Sequence, residues 1–191
     1  MMRQLVSTLL LAAAALTMGG CAAVVAGAAT TATVASDPRS TGTQFDDVTT
    51  GLAVEGKLDE VAKQLDKARV LSVVYNGNVL LVGQARSNEQ RALAEEAARK
   101  VKGVKQIYNQ IRLGHPIGLS TRSGDSWITT KIKAKLIDDN KIDSSRISVT
   151  TENGEVFLLG IVHRAEGERA TEIVRTISGV TQVIRLFEYL D

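Results

Sequence analysis

The side chains best suited to covalent or acid–base chemistry are few in this 191-residue chain: one cysteine, two histidines and some adjacent carboxylates. Cys21 is alone, which excludes an internal disulfide and a cysteine-rich zinc site. His115 sits beside Pro116 and His163 follows an apolar run, both in loop-like contexts with no Ser, Cys or Thr nucleophile motif near them. Glu95-Glu96 and Asp138-Asp139 are neighbours in sequence, so on a helix they point to different faces rather than converging as an acid/base pair. No phosphate-cradling glycine motif and no metal-ligand cluster is present in the sequence. These absences predict a binding protein rather than an enzyme, with no catalytic residue, metal or dissociable cofactor. The chemistry that remains is interfacial. The single tryptophan, Trp127, is followed by Lys131, Lys133 and Lys135, an indole next to ammonium groups.

Composition narrows the partners. The chain has 23 basic and 21 acidic residues, too even a balance for the dominant basic field of a nucleic-acid binder, so no nucleic-acid partner is expected. Hydrophobic residues make up 44% but aromatics only 4%, so the cores must be built from Val, Ile, Leu and Ala.

Residues 1–20 read as an export signal: Arg3, an apolar stretch from Leu5 to Leu16, then small residues before Cys21. That stretch is short of the roughly 20 residues a bilayer span needs, which favours cleavage. Met18-Gly19-Gly20-Cys21 resembles the lipobox of bacterial lipoproteins, although Leu is usual where Met18 stands. The resemblance implies an S-diacylglycerol on the Cys21 thiol and an N-acyl chain on its amine; the alternative is an ordinary secretory signal that leaves a free cysteine. Ala22 replaces the Asp that commonly retains such lipoproteins in the inner membrane, so the same resemblance implies the periplasmic face of the outer membrane. A flexible tether is expected over 21–45, where Ala, Thr, Val and Gly run without helical or alternating period.

The rest of the chain is written twice. Val73-Val74-Tyr75-Asn76-Gly77-Asn78-Val79-Leu80-Leu81-Val82-Gly83 is repeated at Val149 to Gly160, with Gly77 and Gly83 each 77 residues before Gly154 and Gly160. Lys102-Gly103-Val104 and Ser178-Gly179-Val180 lie 76 residues apart. The Asn-Gly pairs Asn76-Gly77 and Asn153-Gly154 predict type I′ hairpins, which need φ > 0 at both central residues. Gly83 and Gly160 are expected to close strands where the chain turns. Ser87-Asn88-Glu89-Gln90 predicts a capped helix with an inward stripe of Ala94, Ala97, Ala98 and Val101, answered in the second copy by Ala170, Ile173, Val174 and Ile177. Gly103 and Gly179 end these helices, and strands are predicted over Gln106 to Arg112 and Gln182 to Tyr189. Val54 and Leu58, matched by Ile132 and Leu136, place a further helix before each hairpin. The predicted fold class is thus α/β, an α+β sandwich: two tandem units, each helix-strand-strand-helix-strand with a three-stranded mixed sheet covered by two helices. Domains are expected over 46–113 and 124–191 with a linker over 114–123.

This order, with the paired glycines and the helix-Gly-Val-strand ending, resembles the BON domain over about 46–113 and 124–190. Together with the lipobox, Asp37-Pro38-Arg39-Ser40 and Trp127-Ile128-Thr129-Thr130-Lys131, it resembles the outer-membrane lipoproteins with two such domains. The resemblance implies a lipid-anchored protein whose second BON domain binds anionic phospholipid and which supports envelope integrity, with recruitment to division sites left open.

On a helical wheel, Ile128, Ile132 and Leu136 fall within about 80° and must face the core. Trp127, Thr130, Lys131 and Ala134 then fall opposite, with Ile137 at their edge and Lys133 and Lys135 flanking; Asp125 or Ser126 is the expected N-cap. The matching helix of copy one, with Gly51, Glu55 and Gly56, is read as having no aromatic, so copy two is the expected lipid reader. Trp127 packed against the linker or copy one is the structural alternative. The functional alternative is an adaptor for outer-membrane assembly machinery or peptidoglycan. The expected oligomeric state is a monomer.

Overall fold

In the computed structural model, which describes residues 39–191, both Asn-Gly pairs form the turns their types demand. Asn76 and Gly77 have φ of 53° and 76°, Asn153 and Gly154 of 52° and 75°. The expected signal over 1–20, Cys21 and the tether as far as residue 38 lie outside the described residues. The first turn joins β1 (Arg69–Tyr75) to β2 (Asn78–Ala85), the second β5 (Ile147–Glu152) to β6 (Glu155–Val162), both antiparallel.

Each hairpin is preceded by a long helix, α1 (Thr41–Glu60) or α3 (Leu119–Asp138), and followed by a shorter one, α2 (Asn88–Arg99) or α4 (Arg164–Arg175). The last strand of each copy then pairs parallel with the hairpin's second strand. In copy two it is continuous, β7 (Gln182–Tyr189). In copy one it is broken into β3 (Gln106–Asn109) and β4 (Arg112–Leu113), both pairing with β2. At the break Ile111 turns into the core, and its backbone N–H is satisfied by the Asn109 side chain.

Two helix starts differ from the sequence expectation. α1 begins at Thr41, inside the segment read as tether, because the Ser40 side chain caps it by accepting the Thr43 N–H at 3.1 Å. α3 begins at Leu119, inside the segment read as linker, with Gly118 as N-cap. Asp125 and Ser126 are therefore interior to the helix and neither caps it. The α2 cap is half as read: the Ser87 side chain accepts the Gln90 N–H, but the Gln90 side chain reaches back to accept the Arg86 N–H rather than that of Ser87.

Gly83 and Gly160 do not close strands; both lie within them, opposite Val70 and Ile147. The partner strand's backbone passes so near that a Cβ on Gly83 would stand 1.9 Å from the Arg69 carbonyl oxygen, and one on Gly160 2.4 Å from that of Arg146. Gly83 also has φ of +122°, so only glycine fits it without rearrangement.

Three cores stack in order. α1 and α2 cover one face of the first sheet through Val54, Leu58, Ala94, Ala97, Ala98, Val79 and Leu81. α3 and α4 cover one face of the second through Ile128, Ile132, Leu136, Ala170, Val174, Val156 and Leu158. The opposite faces of the two sheets meet in a third cluster of Tyr75, Leu80, Val82, Phe157 and Leu159. The result is a helix–sheet–sheet–helix sandwich with α1 and α3 in its two outer layers. Polar contacts fasten the sheets at their margins. Glu152 takes Arg69 Nη1 at 2.6 Å and Gln84 Nε2 at 2.7 Å, the Asn76 and Asn78 side chains donate to Glu188, and the Tyr75 hydroxyl donates to the Arg146 carbonyl at 3.0 Å.

Candidate functional site

α3 carries the residues singled out by the wheel, and its inner side fixes which way they point. Ile128, Ile132 and Leu136 are buried. Asp125, also buried, reaches across to the second hairpin and accepts the backbone N–H of Asn153 at 2.7 Å and of Gly154 at 2.9 Å. The first copy repeats this link: Asp47 accepts Asn76 N–H at 2.6 Å and Gly77 N–H at 2.7 Å. These carboxylates satisfy turn donors that the I′ geometry aims away from the ladder. Two further contacts pin α3, a hydrogen bond between the Thr129 and Thr151 hydroxyls at 2.8 Å and one from Lys131 Nζ to the Ser178 carbonyl at 2.9 Å.

A helix held this firmly on one side presents the other without ambiguity. Trp127 is 64% exposed, so it is not packed against the linker or copy one. Ile137 is 72% exposed and Thr130, Ala134, Lys133 and Lys135 are exposed, while Lys131 is half-buried. Leu119, 80% exposed, lengthens the same face by two turns. It was outside the reading because the helix was expected to start later. Beside the lysines lies an open groove of about 430 Å³ lined by Lys131, Ala134, Lys135, Asp138 and Ile177.

The first helix of copy one is not the plain counterpart the sequence suggested. Because α1 starts at Thr41 it includes Phe45, and Phe45, Val48 and Leu52 form an exposed apolar stripe. Sequence reasoning missed it because Phe45 fell in the segment read as tether, although Val48 and Leu52 lay inside the expected domain; an i, i+3, i+7 test extended upstream finds it.

Glu95, Glu96, Asp139 and His163, considered for acid–base chemistry, each have a charged neighbour. Glu95 and Glu96 form i, i+4 pairs with Arg99 and Lys100. Asp139 follows the end of α3, where the Lys141 N–H, and then Arg169, hold its carboxyl below the usual carboxylate range. His163 precedes α4 with its Nδ1 3.4 Å from Asp191, whose carboxyl is held low first by the Arg164 N–H. His115 is exposed. Among the described residues there is no cluster of three or more His, Cys, Asp or Glu fit to hold a metal, and no helix long and apolar enough to cross a membrane.

Two copies of a helix–hairpin–helix–strand unit, each with a helix carboxylate bonded to its Asn-Gly turn, define the class, and the BON domain description matches residues 46–114 and 124–191. The chain belongs to the BON domain family. More particularly it is of the outer-membrane lipoprotein kind with two such domains. It is 42% identical to the outer membrane lipoprotein DolP of Haemophilus influenzae over 160 residues, 84% of this chain and 83% of that protein. It is 43% identical to a 21 kDa hemolysin of Actinobacillus pleuropneumoniae over 155 residues, 81% of this chain and 80% of that protein. A 34% identity over 101 residues links it to osmotically-inducible protein Y of Escherichia coli, covering half of each.

Proposed function

We propose that this protein is a non-enzymatic lipoprotein of the outer membrane's periplasmic face, anchored through acyl groups on Cys21, that binds anionic phospholipid through the outward face of α3 and thereby supports envelope integrity. The observation that carries the reading is the exposure of Trp127, Ile137 and Leu119 on a helix whose opposite face is locked into the core, with Lys133 and Lys135 beside them. An indole at headgroup depth and ammonium groups on lipid phosphates are the interfacial arrangement these side chains favour.

The magnitudes fit a reversible contact. A tryptophan can bury on the order of 150–250 Å², and the 64% of Trp127 still exposed is worth about 2.5–4 kcal/mol at roughly 25 cal/mol per Å² before ordering costs. Each lysine adds about 1 kcal/mol at an anionic surface, less when screened by salt. The acyl anchor keeps the domain within reach, so a weak contact suffices. Vesicle co-sedimentation tests it: the unacylated chain is expected to pellet with phosphatidylglycerol vesicles and not with phosphatidylcholine, and the Lys133→Glu/Lys135→Glu variant to stay in solution. Equal pelleting of parent and variant refutes the reading.

A further inference from the structure

The stripe Phe45, Val48 and Leu52 on α1 is 68, 62 and 65% exposed, and nothing among the described residues covers it. α1 lies in the outer layer opposite α3, so the stripe faces away from any bilayer on which α3 rests. Its charges also point away from lipid. On the outward half of the wheel the stripe runs into Glu55 and Asp59, an acidic rim that an anionic surface repels, with Glu60 beyond them paired to Lys57 at 2.6 Å. The α3 face has the opposite balance: Trp127, Ala134 and Ile137 with Lys133 and Lys135 exposed, Lys131 bonded to the Ser178 carbonyl, and a single acid, Asp138, at its C-terminal edge. Both helices are 20 residues long.

We propose that α1 of one molecule docks on α3 of a second copy, apolar stripe on apolar stripe and acidic rim against lysines. The two surfaces differ and lie on opposite outer layers, so the contact is heterologous and open-ended, giving head-to-tail chains rather than a closed dimer. Three large apolar side chains from each helix fall short of the about 1,200 Å² that stable complexes bury, so the association is weak and rises with concentration. The α3 face then has two competing occupants, the bilayer and a neighbour's α1.

The test is sedimentation equilibrium without lipid, on the chain lacking its first 21 residues, which retains the folded unit Pro38–Asp191. The average mass is expected to rise above the monomer value toward about 1 mM protein, and less so at high salt. Leu52→Glu removes the α1 face and Ile137→Glu the α3 face, so each alone stays monomeric. An equimolar mixture recovers one intact contact, so its average mass rises with concentration toward twofold the monomer mass and never beyond it. Val48→Lys and Trp127→Glu form a second pair should either first variant lose its circular dichroism. A parent that remains monomeric, single variants that associate like the parent, or a mixture that stays monomeric each overturns the proposal. Lipid plays no part in these measurements, so their failure leaves the membrane reading untouched, and Leu52→Glu is expected to bind vesicles as the parent does.

Discussion

The Asp125 carboxylate accepts the Asn153 backbone N–H at 2.7 Å, joining the middle of α3 to the tip of a hairpin 28 residues further on. With the bond to Gly154 it makes the helix and the turn one rigid piece. Asp125→Ala leaves two donors without their acceptor, one of them in a buried contact, and is expected to cost about 2–4 kcal/mol in urea unfolding. Asp125→Asn, which keeps one acceptor oxygen, should recover part of that. A loss below about 0.5 kcal/mol for the alanine variant would count against the link.

Gly160 and Gly83 differ in how tightly they are held. Alanine at either drives a Cβ into a carbonyl oxygen, but Gly83 has the shorter approach and a positive φ as well. Gly160→Ala is expected to lower the thermal midpoint of the whole unit. Gly83→Ala should do so by more, with a cost above about 3 kcal/mol. Scanning calorimetry of the two variants ranks them, and the reverse order contradicts the geometry.

How the two domains are joined gives a third prediction. Glu152, nearly fully buried, neutralises Arg69 and takes the Gln84 amide across the sheet interface. Removing one member of a buried pair typically costs about 3–5 kcal/mol because the other is left unpaired. Glu152→Ala is therefore expected to destabilise the protein by about that amount and to raise hydrogen exchange first at the margin of the sheet interface, while the cluster of Tyr75, Leu80, Val82, Phe157 and Leu159 still joins the copies. Hydrogen exchange that stays uniform across both sheets would argue otherwise.

Acid should loosen the contacts that Asp139 makes after α3 and Asp191 makes at the start of α4. The carboxyls of Asp139 and Asp191 are held below their ordinary range, so each binds its proton less readily folded than unfolded. Their contribution is present above the unfolded-state value and is lost as pH falls through the lower folded value. The protection of the Arg164 and Lys141 amides, taken relative to intrinsic exchange at each pH, is expected to hold from neutral pH down to that acidic window and to fall within it. Protection already lost near neutrality would point to a different group.

Most of the fold could be read from local chemistry. Asn76-Gly77 and Asn153-Gly154 dictate their turns by backbone geometry alone, and the Ala94–Val101 stripe faces inward by helical period. The start of α3 was misread because Leu119 to Gly124 is rich in Ser, Thr and Gly, and Asp125 has the residue type of a cap; its real partners are 28 and 29 residues away, a contact no local rule registers. The sheet-on-sheet interface left a trace that went unused. Val79-Leu80-Leu81-Val82 is apolar without alternation, the mark of a strand buried on both faces, and every residue of β2 is buried. Trp127 was legible as outward-facing because three isoleucine and leucine positions fix the helix phase, whereas Phe45 was lost with the upstream turn of α1.

Trp127 is the only tryptophan, so its emission reports the α3 face directly. At 64% exposure it starts in water. Adding phosphatidylglycerol vesicles to unacylated protein is predicted to shift that emission to the blue and to expose it to quenchers carried on the lipid chains, with a reversal at high salt. Phosphatidylcholine vesicles should leave the spectrum where it was. An emission maximum unmoved by phosphatidylglycerol, or binding that persists unchanged in Trp127→Glu, would contradict the account.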